Sequence, residues 1–249
     1  MTIAEIYRQS KKKKDNFWTE WISRPPAAVL VWLLKGTPIT PNQISFVAIF
    51  VAICGGAILI AWTTWLGLII GGLTLQLAYI IDCVDGQLAR LKNLASPVGA
   101  ILDFMLDEVK AFVVLSASAV RLWRIDGDVK WLLIGLGGLV AAATGITLTS
   151  FMRRAEYLEY IGAPPIAPAT DRGNFFSSFS PKALIEAAGR YVLHYPSWFL
   201  FVCAANRLDI YLYAYAGAHT LYLGRASLTV LFALSRPPKK KIEAKGDAA

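Results

Sequence analysis

Charge and histidine are scarce in this sequence: 17% of its 249 residues are charged and two are histidine, while 56% are hydrophobic. So thin a charge complement excludes an ordinary soluble domain of this length. Cysteines number three, Cys54, Cys83 and Cys203, an odd count placed in or beside apolar runs, which excludes a disulfide framework and implies free thiols. Cys83 reads as a small packing residue. No set of His and Cys has zinc-binding spacing. His194 and His219 lie on apolar stretches and read as hydrogen-bonded packing residues. Internal repeats are missing too. The first apolar run follows a long charged arm and precedes no small-residue cleavage site, so no cleavable signal peptide is expected.

What is present is apolar sequence in long blocks. Runs able to cross ~30 Å of hydrocarbon as helices lie near residues 43–62, 65–82, 100–122, 130–151, 191–205 and 209–234. The expected fold is therefore an all-α polytopic membrane protein with six transmembrane helices. Thr63-Thr64 alone joins the first two runs, so they should form a tight hairpin, with Gly55-Gly56 and Gly71-Gly72 suited to close helix contact. Pro196 interrupts the fifth run. Upstream, Phe17, Trp18, Trp21, Ile22, Val29, Trp32 and Leu33 alternate with Asp15, Glu20, Arg24 and Lys35, the pattern of an N-terminal amphipathic helix lying in the membrane interface. Lys11 to Lys14 suit anionic head groups or plain solvation. Pro25-Pro26 should bend or break that segment. Thr40 and Pro41 read as N-cap and first residue of the first spanning helix.

Three regions follow: an arm and interfacial helix over 1–42, a six-helix domain over 43–235, and a basic disordered tail over 236–249. The connection over 152–190 should include an interfacial helix around Lys182 to Gly189. Nineteen of the 25 Lys and Arg residues fall on one side of this arrangement, in 1–42, 83–99, 152–190 and the tail. Arg121, Arg124, Lys130 and Arg207 fall on the other, and Lys110 and Arg225 lie within spans, where Arg225 needs an anionic partner. Positive charge marks the cytoplasmic side, so both termini are expected there, in a cytoplasmic membrane of bacterial or archaeal type.

Against this apolar background, Asp82, Asp85, Asp103 and Asp107 crowd into 26 residues. Carboxylates near membrane depth persist mainly where they bind ions, pair or move protons. On helices, Asp82 and Asp85 share one face and Asp103 and Asp107 another. Gly86 and Gly99 bound the connection and let a ligand approach the backbone. Four carboxylates at one point repel, and Arg90, Lys92 and Lys110 are too few to neutralise them. Divalent metal is the natural counter-charge, and an all-oxygen donor set selects Mg2+, Mn2+ or Ca2+. Two such ions could clamp a diphosphate, with Arg90 placed to meet a phosphate.

The eight residues Asp82, Asp85, Gly86, Ala89, Arg90, Gly99, Asp103 and Asp107 spell D-x2-D-G-x2-A-R-x8-G-x3-D-x3-D. This resembles in full the signature of the CDP-alcohol phosphotransferase family, and the six-span pattern matches as well. Thr40 to Ser45 also looks like the family's approach to its first span. The resemblance implies that an acceptor hydroxyl attacks the β-phosphorus of a CDP-linked alcohol and CMP leaves. It implies Asp82, Asp85, Asp103 and Asp107 as ligands of two Mg2+ or Mn2+ ions, with Asp107 also the general base. Gly86, Ala89, Arg90, Ser96 and Gly99, with Asn42 and Ser45, would line the nucleotide pocket. Arg153 and Arg154 resemble the basic segment of inositol-phosphate-using members, though one residue shorter between basic positions, and Arg190 could add a second phosphate contact; as ordinary positive-inside anchors they fit equally well.

Three activities stay open. One transfers from CDP-diacylglycerol or a CDP-polyol to a polyol phosphate such as inositol phosphate or glycerol phosphate. Another transfers phosphocholine or phosphoethanolamine from the CDP form to diacylglycerol. The third is no enzyme but a divalent-ion channel or transporter. Partners expected are the CDP-linked donor, the hydroxyl acceptor, membrane lipids and, from the family, a second copy in a homodimer; nucleic acid is not among them.

Overall fold

The structure is a computed structural model and describes residues 1–10, 16–163, 188–189 and 191–235. Lys11 to Lys14, Arg190, most of the helix expected around Lys182 and the tail lie outside the described residues. Every described element is helical: α1 (Ile3–Gln9), a π turn (Thr19–Ser23), α2 (Arg24–Leu34), α3 (Pro41–Ala61), α4 (Trp65–Leu91), α5 (Pro97–Asp126), α6 (Lys130–Met152), α7 (Ala155–Ile161), a 3-10 turn (Tyr195–Ser197), α8 (Phe199–Ala204) and α9 (Leu208–Leu234).

Helices α3, α4 and α6 are each long and apolar enough to cross a membrane. Helix α5 is also long, at 30 residues, but it carries Asp103, Asp107, Glu108, Lys110, Arg121 and Arg124. Helix α9 has 27 residues, including Asp209, four tyrosines, His219 and Arg225. The fifth apolar run forms no single long helix: Pro196 sits in the 3-10 turn, and α8 is six residues.

Helix α3 begins as its sequence dictates, with the Thr40 hydroxyl accepting from the Gln43 amide and Pro41 at the first position. Helices α3 and α4 pack along each other and α3 also along α5, while α6 joins α5 to α9. A Cβ on Gly55 would come within 2.9 Å of Leu75, and one on Gly71 within 2.6 Å of Leu59. Gly56 and Gly72 instead face Val113 of α5 and Cys203 of α8, so only half of the four glycines serve the hairpin. The cysteines are free thiols.

Two sequence expectations are corrected. Pro25-Pro26 does not break the amphipathic segment, which stays helical from Phe17 to Leu34. The π turn just before the prolines shifts the hydrogen-bond ladder, and the prolines then occupy the first turn of α2, where missing amide donors cost little. Likewise 83–99, the connection between the second and third apolar runs, is mostly helix and not a loop. Helix α4 runs on to Leu91, closing with Asn93 in the left-handed region and the Leu94 amide donating to the Ala89 carbonyl. Only residues 92–96 link α4 to α5, and Gly86 and Gly99 lie inside helices.

A small second core beside the main one, built on Ile6, Ala27, Ala28, Val31, Ile44, Val84 and Leu88, fastens α1 and α2 to the end of α4. Phe17, Trp21, Ile22, Val29, Trp32 and Leu33 face outward.

Candidate active site

Three helix ends meet beside this second core: the start of α3, the end of α4 and the start of α5. Ligand oxygens of Asp82, Asp85 and Asp103 lie within 4.8 Å of one another. Asp82 and Asp85 are buried and Asp103 is half-buried. Three carboxylates so close, with oxygen the only donor, fit a hard divalent cation and could hold one.

Asp107 stands one turn further along α5 and is not part of this trio. Its carboxylate, 53% exposed, bonds to Lys110 at 2.8 Å. Lys110 is 1% exposed and also ion-pairs with Asp82. The buried Tyr195 lies near Lys110, Asp107 and Asp82. Lys110, counted in the sequence among basic residues too few to neutralise four acids, is spaced three residues from Asp107 and seven from Asp103, which places it on their face. Tyr195 gave no such signal.

Ser45 donates through Oγ to Asp85 Oδ2, so it acts first on an acid of the cluster. Ser96 caps α5 by accepting from the Gly99 amide at 3.0 Å. A Cβ on Gly99 would lie 3.1 Å from Ser96 Oγ and 4.0 Å from Asn42 Oδ1, which brings Asn42, Ser96 and Gly99 together. The bare Gly86 lets the Arg90 guanidinium lie alongside, Nη1 being 3.4 Å from where a Cβ would stand. Lys92 donates to the carbonyls of Thr37 and Ile39 at 2.7 and 3.0 Å, tying the approach to α3 onto the end of α4.

Arg153 and Arg154 sit where α6 gives way to α7, with exposed side chains. Arg190 lies outside the described residues. The Tyr79 hydroxyl bonds to His194 Nε2 at 2.9 Å, as a packing histidine should. His219 departs from that expectation: its buried Nε2 has no hydrogen-bond partner among the described residues.

Apolar helices whose ends converge on clustered carboxylates make a membrane-associated site that could hold a hard cation. A family model described as CDP-alcohol phosphatidyltransferase matches residues 38–180, more than half of the chain. The chain belongs to that family of enzymes. It is similar to a "Bifunctional IPC transferase and DIPP synthase" of Rubrobacter xylanophilus, 34% identical over 112 residues, 45% of this chain and 22% of the relative. A protein of the same description from Aquifex aeolicus is 30% identical over 101 residues, 41% of this chain and 22% of the relative. The match thus spans about a fifth of each relative's own length.

Proposed function

We propose that this protein is an integral-membrane phosphotransferase of phospholipid biosynthesis. It moves a substituted phosphate from a CDP-linked alcohol to an acceptor hydroxyl and releases CMP. The observation that carries this reading is the convergence of Asp82, Asp85 and Asp103 at the meeting of three helix ends. Six crossings, the fifth made by the broken stretch ending at Ala204, would set both termini and the site on the cytoplasmic face. The amphipathic segment with its outward Phe17, Trp21 and Trp32 would lie in the interface, and the protein would act as a homodimer.

Asp82, Asp85 and Asp103, with Asp107 at the edge, would hold Mg2+ or Mn2+, two ions in all. Bound there, such ions supply charge neutralisation for a diphosphate. Asp107, the most exposed of the four, takes the proton from the acceptor hydroxyl, and its bond to Lys110 sets its orientation. Ser45 holds Asp85. Asn42, Gly86, Ala89, Arg90, Ser96 and Gly99 shape the nucleotide pocket, with Arg90 set to meet phosphate.

The relatives' names, which join an IPC transferase to a DIPP synthase, support an inositol phosphate as acceptor, with Arg153, Arg154 and Arg190 as its phosphate contacts. The test is CMP release by purified protein with Mg2+, offering CDP-inositol, CDP-diacylglycerol, CDP-choline and CDP-ethanolamine against inositol phosphate, glycerol phosphate and diacylglycerol. A productive pair that fails with EDTA and in Asp107→Asn is expected, and Arg153→Ala should raise the KM for the acceptor alone. CMP from no pair, together with ion flux in liposomes that needs the four aspartates, would overturn the enzymatic reading.

A further inference from the structure

We propose that the N-terminal helix is part of the donor-binding machinery: α1 and Gln87 form a clasp in which the Ser10 carbonyl holds Arg90 beside Gly86. This rests on the reading of Arg90 as a nucleotide-pocket residue. Helix α1 lies outside the residues matched by the family model, and Gln87 occupies one of the signature's unspecified positions.

The clasp is built from the chain upward. Thr2 and Glu5 form a capping box that starts α1, and Ile6, fully buried, packs into the small core with Val84 and Leu88 of α4. That anchors α1 against the end of α4. Ser10, 1% exposed, then ends the helix. Its amide and its hydroxyl both reach the Ile6 carbonyl, at 2.9 and 2.7 Å. Its own carbonyl points onward and accepts from Arg90 Nε at 2.7 Å.

Gln87, also 1% exposed, braces Ser10 through the serine hydroxyl, whose one proton is shared between the Ile6 carbonyl and the Gln87 amide oxygen. Its Oε1 lies 3.2 Å from Ser10 Oγ, and its Nε2 donates to the Arg24 carbonyl at 3.2 Å. One amide thus joins the end of α1 to the start of α2, three residues ahead of the arginine that α1 holds. A guanidinium is a rigid planar fork, so fixing Nε fixes the direction of the whole group. A helix end supplies that anchor well, since its last carbonyls lack intrahelical donors and carry the negative end of the dipole. Gln87 is therefore a positioning residue that acts through Ser10 on Arg90.

The experiment measures binding of CDP, with Mg2+ present, to the purified full-length protein by calorimetry, and donor KM and kcat alongside. Gln87→Leu removes the side chain that bridges Ser10 and the Arg24 carbonyl and should weaken CDP about tenfold. KM should rise with it while kcat and Mg2+ binding without nucleotide stay as in the parent. In an Arg90→Lys background the same change should add nothing, since both act on one contact. An equal loss in both backgrounds would mean that Gln87 only supports the fold, and no loss in the parent would remove the clasp; either overturns the proposal. If Arg90→Lys weakens CDP but Gln87→Leu does not, the clasp alone falls. If Arg90→Lys leaves CDP binding intact, the nucleotide role of Arg90 falls and the clasp with it. Should Gln87→Leu not fold, Ser10→Ala removes only the hydroxyl; about threefold weaker CDP binding is expected, and unchanged binding sinks the idea.

Discussion

The two ends of the α3–α4–α5 assembly each bury one cation of α5 and treat it in opposite ways. At the site end, Lys110 meets Asp82 and Asp107, and Asp85 and Asp103 stand close by. Negative charge outnumbers the ammonium. At the far end, Arg121, 1% exposed, donates to the carbonyls of Leu59, Trp62, Thr63 and Thr64 at 2.6–2.9 Å. Arg124 adds a bond to the Ile60 carbonyl. These carbonyls end α3 and form the turn into α4, so the guanidinium satisfies groups a helix terminus otherwise leaves unpaired. One end spends its cation on closing the fold, and the other keeps a surplus of carboxylate that a further cation can answer.

Replacing the cation at each end should break this comparison open. Lys110→Met leaves Asp82 and Asp107 without their ammonium partner, and removing one member of a buried pair costs about 3–5 kcal/mol. Part of that loss should return with Mg2+, since a ligand at 100 times its Kd adds about 2.7 kcal/mol. Thermal unfolding with and without Mg2+ reads both effects. If the variant is as stable as the parent without metal, Lys110 is not the counter-charge of the site.

Arg121→Met should destabilise by about 2–3 kcal/mol, because buried carbonyls lose their donors. Added Mg2+ should shift its unfolding temperature no more than it shifts the parent's, and CDP binding should be unchanged. A larger rescue by metal at this end than at the Lys110 end would erase the distinction between closing and binding.

Much of the site was legible in the sequence because it depends on helical spacing. Asp82 with Asp85, and Asp103 on the facing helix, needed only period and register to be brought together. The cap at Thr40 and the interruption at Pro196 followed equally from local chemistry. The illegible part is tertiary. Arg121 reads as one more positive residue at a span end, and nothing local says that its side chain turns back to the α3–α4 turn. Ser10 and Gln87 are ordinary polar residues 77 positions apart, and only the packing of Ile6 brings them into contact. Helix α4 outran its apolar stretch for a related reason: Val84 and Leu88 are buried by α1 and α2, a core that reading one segment at a time does not show.

The smallest effect concerns the turn beyond Arg121 and Arg124. The Trp131 indole N–H lies 2.6 Å from Asp126 Oδ2 and the Asp128 amide 2.9 Å from Oδ1. These bonds, the indole's first, hold the Asp126 carboxyl below its ordinary value of 3.8. A carboxyl lowered in the folded state contributes stability that is present above the unfolded value and fades as pH falls through the folded one. Asp126→Asn cannot titrate, so its unfolding temperature should fall less steeply than the parent's on acidification below about pH 4. Asp128, lowered chiefly by its bond to Lys130, keeps some slope in the variant. Because this turn lies at the closed end, the change should leave Mg2+ and CDP binding untouched. Parallel acid limbs in the two proteins would show that the Trp131 bond contributes nothing to the folded state, and that Arg121 and Arg124 secure this end alone.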